Sequence, residues 1–250
     1  MNGTRWARMP AQVAALIAQG ACEAIWTTRC VICDAPGTVL CTRCRLNLPY
    51  VDRWLACPRC GAPHGRVQCV DCNTFSLAAV GRTGIPFERC VSAIEHRGRA
   101  RALITAYKDG GERRLAALIA SMMSDTMPKS WLSDGVITFV PADAAALRRR
   151  GFEHMALIAH ALERETALPC RRMLEKLPVA DQRGLTRHER FANMAGAVRA
   201  APLRTGKPVP ERVILVDDVY TTGATLFAAC DALHAAGVRD IRCVTFARVP

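Results

Sequence analysis

Residues 213–226 read VILVDDVYTTGATL, an apolar run that meets two adjacent aspartates and then a short loop of threonines and glycine. The run has the character of a buried strand, and Thr221-Thr222-Gly223-Ala224-Thr225 stands where a helix begins. Free backbone N–H groups and the helix dipole favour a phosphate there. The threonine hydroxyls add donors, and Gly223 lets the backbone come close. Asp217 and Asp218 would repel that phosphate, so they are expected beside it, accepting hydrogen bonds from neutral hydroxyls or holding Mg2+. A ribose 5-phosphate meets both demands, with its phosphate in the loop and its 2′ and 3′ hydroxyls on the carboxylates. No G-x-x-x-x-G-K pattern is present, so the loop is not of the Walker type.

A second chemistry is written in cysteine. Cys30 and Cys33 form one knuckle, Cys41 and Cys44 another, and the pattern repeats at Cys57, Cys60, Cys69 and Cys72. Two-residue spacing lets both thiolates of a knuckle reach one ion, and two knuckles complete a closed tetrahedral shell. The expectation is two structural zinc ions with no open coordination position. Pairing of neighbouring knuckles, Cys30/33/41/44 and Cys57/60/69/72, closes shorter loops than a cross-braced arrangement and is preferred over it. A segment with so few large apolar side chains depends on such metal staples to fold. Cys22, Cys90, Cys170, Cys230 and Cys243 are isolated and receive no chemistry.

The elements that must position these groups alternate. Strand-like runs at 90–96, 135–141, 212–218 and 241–249 are separated by helical patterns, among them 152–167 and 224–237. A further helical stretch breaks at Asp109-Gly110-Gly111. Strands this apolar, with helices between them, predict an α/β domain with a parallel sheet covered on both faces. In such sheets ligands bind beyond the carboxyl ends of the strands, where the Asp217–Thr225 stretch lies. The expected organisation is an amphipathic N-terminal helix within 1–28, a double zinc ribbon over 29–76 and the α/β domain over 80–250.

The net charge of +12 comes from 34 basic against 22 acidic residues, spread without one dense patch. That suits an anionic partner, a phosphorylated small molecule or a nucleic acid, although arginines on a solvated surface account for it equally well. No apolar run approaches the roughly 20 residues of a membrane helix, and the expected location is cytoplasmic.

With these residues in hand, the stretch around Asp217 resembles the phosphoribosyl-pyrophosphate (PRPP) signature of type I phosphoribosyltransferases. Over about residues 20–250 the chain resembles the ComF family, whose members join a double zinc ribbon to a phosphoribosyltransferase-like domain and are associated with natural competence and use of external DNA. Besides the ribbons and LVDDVYTTGAT, the likeness rests on Lys108 after LITAY, FVP at 139–141, RRRGF at 148–152, and Gln182, Leu185, Arg190 and Asn193. It implies that Asp217 and Asp218 hold ribose hydroxyls and that Thr221, Thr222, Gly223, Ala224 and Thr225 cradle the 5-phosphate. It also implies that the Val140-Pro141 turn lies near the pyrophosphate of a Mg2+-bound PRPP, with Arg150 as a cationic clamp. Lys108, Gln182, Arg190 and Asn193 would line the acceptor side or a partner surface. Two positions depart from the family: Glu153 stands where Asn usually follows RGF, and His96 where an aromatic often precedes the first helix. Either departure means an altered ligand preference or a weakened site.

Two functions follow as expectations. One is a transferase that displaces pyrophosphate from ribose C1, a reaction that asks mainly for electrostatics and positioning; no general acid or base stands out in the sequence. The other is a binding module whose ribbons and arginines engage single-stranded DNA or competence proteins. A zinc-stapled scaffold without a small-molecule ligand fits least well.

Overall fold

The computed structural model describes residues 27–178, 184–202 and 208–250. The expected N-terminal helix, Cys22 and Gln182 lie outside them. The chain divides into two compact units between Asn47 and Leu48.

The first unit holds the first four cysteines. A β-bridge joins Arg29 to Pro36, and the short helix α1 (Thr42–Leu46) buries Cys44. The second unit begins with the other four cysteines and a second short helix, α2 (Thr74–Ala78), capped by Asn73, whose side chain accepts from the Ser76 N–H. Its body is a four-stranded sheet in the order β1 (Arg89–Glu95), β6 (Asp240–Arg248), β5 (Arg212–Tyr220), β2 (Val136–Phe139). Every pair is parallel. The predicted α/β class with a parallel sheet is what the chain adopts.

Why the strands read as continuous apolar runs is clear from burial. Val213, Ile214, Leu215 and Val216 of β5 are all inaccessible, as a central strand covered on both faces requires. Helices α3 (Arg99–Lys108) and α4 (Leu115–Thr126) follow β1, and the break between them uses Gly111 at φ +69. After β2 come α5 (Ala144–Arg150) and α6 (His154–Thr166). Helix α5 is capped by Asp143 and stopped by Gly151 at φ 72, the usual left-handed exit. A small antiparallel pair, β3 (Leu174–Lys176) with β4 (Val198–Ala200), flanks α7 (Arg187–Met194). Helix α8 (Ala224–Ala235) links β5 to β6. Helices α4 and α6 pack on each other, while α8 packs on α7 and β4.

The second cysteine cluster is built into this unit. The Cys90 N–H of β1 donates to the Arg59 carbonyl at 2.8 Å. A Cβ on Gly61, at φ +71, would stand 2.6 Å from the Cys90 carbonyl oxygen, so only glycine allows that approach. Arg248, at the end of β6 and fully buried, donates to Asp71 Oδ2 at 2.6 Å and to the Cys60 carbonyl at 3.3 Å.

Candidate ribose-phosphate site and metal centres

The metal centres are direct. Sγ atoms of Cys30, Cys33, Cys41 and Cys44 lie within 4.8 Å of one another, and those of Cys57, Cys60, Cys69 and Cys72 do likewise. Neighbouring knuckles therefore pair, as preferred from the spacing. Separations of 3.7 Å for Cys33–Cys41, 3.6 Å for Cys57–Cys72 and 3.5 Å for Cys60–Cys69 approach the edge of about 3.8 Å that a tetrahedron of Zn–S bonds of about 2.3 Å requires. Both four-thiol sets fit zinc in donor type, number and spacing.

The other site lies where β2 and β5 end and α6 and α8 begin. Strand β5 runs on to Tyr220, so both aspartates lie within the strand, and alternation sends their side chains to opposite faces. Asp218 Oδ2 accepts from His154 Nε2 at 2.7 Å and pairs with Lys108 Nζ. These two partners hold its carboxyl well below the usual carboxylate range although burial opposes them. Asp217 Oδ1 accepts the Asp218 N–H at 2.9 Å. Burial, and then the neighbouring Asp218 charge, push the Asp217 carboxyl up to about 7. The twin acids are thus electrically unlike, and only Asp218 belongs to the polar cluster.

Helix ends assemble that cluster. Lys108 is the last residue of α3, where the dipole favours a cation. His154 opens α6 and is buried; the Tyr107 hydroxyl donates to its carbonyl at 2.5 Å. Arg150, in the last turn of α5, donates to His154 Nδ1 at 3.3 Å. A guanidinium only donates, so Nε2 must carry the proton given to Asp218. Arg150 Nε is buried without a hydrogen-bond partner and lies 3.8 Å from Asp109 Oδ1.

Val140 and Pro141 are buried, and the Val140 N–H donates to the Val216 carbonyl at 3.0 Å. Neither residue has a free N–H, because that of Val140 is used and Pro141 has none. Glu153 lies against this turn: both carboxylate oxygens stand 3.2 Å from the Ala142 nitrogen.

The Thr221–Thr225 loop sits at the start of α8, as the sequence predicts. Gly223, at φ +90, is the N-cap, and a Cβ there would lie 2.7 Å from the Tyr220 ring. Thr222 Oγ1 accepts from the Ala224 N–H at 3.5 Å, and Arg190 donates to Thr221 Oγ1 at 3.5 Å. Arg190 thus comes to the Thr221–Thr225 loop, and half-buried Asn193 shares its helix. Tyr220 is clamped from below, with the Arg248 guanidinium 3.4 Å over its ring.

His154 and Tyr107 escaped the sequence reading. A histidine two residues after RGF carries no distinctive spacing, and Tyr107 reads as one more apolar position of α3. Their adjacency to Glu153 and Lys108 was the available signal. His96, the second departure, donates its N–H to the Arg248 carbonyl at 2.6 Å. Burial first, then the nearby Arg101 and Lys108 charges, lower its pKa.

Comparisons bear on this geometry. A phosphoribosyl transferase domain family model matches residues 160–250. Competence protein ComFC of Streptococcus pneumoniae (strain ATCC BAA-255 / R6) is 24% identical over 192 residues, covering 77% of this chain and 80% of that protein. Competence protein ComFC of Bacillus subtilis (strain 168) is 24% identical over 209 residues, covering 83% and 82%. Adenine phosphoribosyltransferase of Mus musculus is 49% identical over 35 residues, 14% of this chain and 19% of that one. A hypoxanthine phosphoribosyltransferase structure from Staphylococcus aureus aligns over 53% of this chain and 62% of its own, at 15% identity and a TM-score of 0.33, which is too low to carry an argument.

Proposed function

Because the chain belongs to the ComF family, competence-associated proteins with a phosphoribosyltransferase-like domain, we propose that its α/β unit binds the ribose 5-phosphate group, free or within PRPP, together with Mg2+. The observation that carries this reading is the N-cap glycine at φ +90 opening α8 behind β5, with Thr221, Thr222 and Thr225 accessible around it. The 5-phosphate takes the N–H groups of that loop, and Arg190 reaches the same place. Asp218 accepts from a ribose hydroxyl; Lys108 and His154 fix its orientation and keep it ionised. Asp217, buried and with its carboxyl raised, accepts the Asp218 N–H on the other face of β5 and reaches the diol only with local rearrangement.

The unpartnered Nε of Arg150 supplies a donor for a ligand oxygen beyond the end of β2. If turnover occurs, loss of pyrophosphate from C1 builds positive charge on the sugar, and the chain's contribution is to fix the ribose and face that charge with Asp218. Mg2+, when bound, screens the ligand's phosphates. The described residues nearest the site include a histidine, yet His154 has both nitrogens engaged, so acceptor activation is not assigned to it. Calorimetric titration of zinc-loaded protein with ribose 5-phosphate and with PRPP, each plus Mg2+, tests the reading. Asp218→Asn should weaken both at least tenfold while the circular dichroism spectrum is retained. Undiminished binding by that variant would defeat it.

A second reading, nucleic-acid binding, is favoured by one observation. A cleft of about 490 Å3 in the second unit is lined by Arg53, Arg66, Arg89 and Lys129, by one carboxylate, Asp125, and by the exposed Trp54, whose ring lies 5.3 Å from the Arg53 guanidinium. Among the described residues none of these four cations has a carboxylate partner, and Arg89 Nε is buried with no hydrogen-bond partner at all. An indole beside unpaired cations suits a single strand, whose bases stack and whose phosphates pair. Binding of a short single-stranded DNA should then weaken steeply between low and moderate salt and drop in Arg66→Ala. Salt-indifferent binding counts against it.

A further inference from the structure

Glu153 is the N-cap residue of α6, yet its side chain makes no bond to that helix. Instead it turns back across eleven residues and sets both oxygens 3.2 Å from the Ala142 N–H, with only 14% of the side chain exposed. Ala142 follows the Val140-Pro141 turn at the carboxyl end of β2, beside β5. A free amide at such a place is a donor for a ligand anion. Here the chain has supplied the anion itself.

We propose that Glu153 is a specificity-determining residue: its carboxylate holds the turn after β2 and sets the site to take ribose 5-phosphate in preference to PRPP. The inference rests on the ribose-phosphate reading above and narrows its ligand class. The surrounding charges point the same way. Lys108 is paired with Asp218, and Arg150 is shared between Asp109 and His154. His154 Nδ1 also lies 3.8 Å from Glu153 Oε1. Two permanent cations therefore face three carboxylates, Asp109, Glu153 and Asp218. At the turn after β2 the charge held against the Ala142 amide is thus negative, and it resists the diphosphate on C1 of PRPP as a like charge. The 5-phosphate, held by the loop before α8, is bound through groups that Glu153 does not touch. A sugar with a hydroxyl at C1 meets no such repulsion and can donate to a carboxylate.

The test compares ribose 5-phosphate, PRPP and inorganic pyrophosphate by calorimetry, each with Mg2+, on zinc-loaded full-length protein and on Glu153→Gln, which removes the charge and keeps the shape. Wild type should bind ribose 5-phosphate at least as tightly as PRPP. The Gln variant should raise the PRPP-to-ribose-5-phosphate affinity ratio at least tenfold and gain affinity for pyrophosphate. Glu153→Asp serves if the Gln variant does not fold: the shorter chain caps its own helix, frees the Ala142 amide and moves the ratio in the same direction. A wild type that prefers PRPP tenfold or more, or a ratio unmoved in both variants, overturns the inference while the ribose-phosphate site stands. Failure of wild type and variants to bind either sugar overturns the site and the inference together.

Discussion

Asp217 and Asp218 are adjacent and chemically identical, yet their surroundings drive them apart. Burial dominates at Asp217, so the native state holds its proton more tightly than the unfolded chain does. The stability this group contributes is complete below the ordinary carboxylate range and is lost as pH rises through about 7. Asp218 has the opposite sign: depressed by Lys108 and His154, it contributes above the ordinary range and loses that contribution as pH falls. Asp217→Asn is neutral at every pH and can still accept the Asp218 N–H. Its melting temperature relative to wild type should therefore be higher at pH 8 than at pH 5, and an equal offset at both pH values would show that Asp217 does not titrate there. From sequence, both acids and the threonine loop are visible as a pair and a cradle. Their inequality is not, because it depends on which helix end each face of β5 meets.

At the scale of elements, the decisive local fit is β5 running into α8. Gly223 combines a left-handed φ of +90 with a Tyr220 ring that a Cβ would approach to 2.7 Å. Gly223→Ala should cost roughly 1–3 kcal/mol, from backbone strain together with displacement of the ring. Urea denaturation measures that loss, and one below about 0.5 kcal/mol would mean that the ring yields freely. The long strands and helices were legible because their apolar runs and 3.6-residue patterns are sustained. The pair β3–β4 was not, since three-residue strands carry no periodicity. Helices α5 and α7 are short but well signed: Asp143 and Gly151 bracket one, and the Thr186–Glu189 capping box opens the other. Those signals were in the sequence, overshadowed by the motifs RRRGF and DQRGL in the same segments.

At the scale of the molecule, the second cysteine cluster and the sheet share Arg248. Its guanidinium holds Asp71, touches the Cys60 carbonyl and lies over Tyr220. Purified protein should carry two zinc ions per chain by atomic emission. Arg248→Met keeps the stem but loses the charge contacts; it should cost about 2 kcal/mol and speed release of one zinc, not both, to a chromogenic chelator. Unchanged release kinetics would show that the arginine does not brace the cluster. The eight ligands were readable from spacing alone, whereas sequential pairing was a preference from loop length that the thiol positions bear out. That the second set packs on β1 was not readable, because the contact is made by backbone at Gly61 and by a single arginine 188 residues from its cysteine partner.

The junction at Arg248 bears on how the protein can be dissected. Cutting at residue 80, where the cysteine motifs end, would strip a fully buried guanidinium of Asp71 and of the Cys60 carbonyl. The orphaned charge would sit directly beneath Tyr220, whose ring supports Gly223. Such a truncation would not isolate the α/β half; it would undermine its floor. A fragment starting at Leu48 retains the whole underpinning.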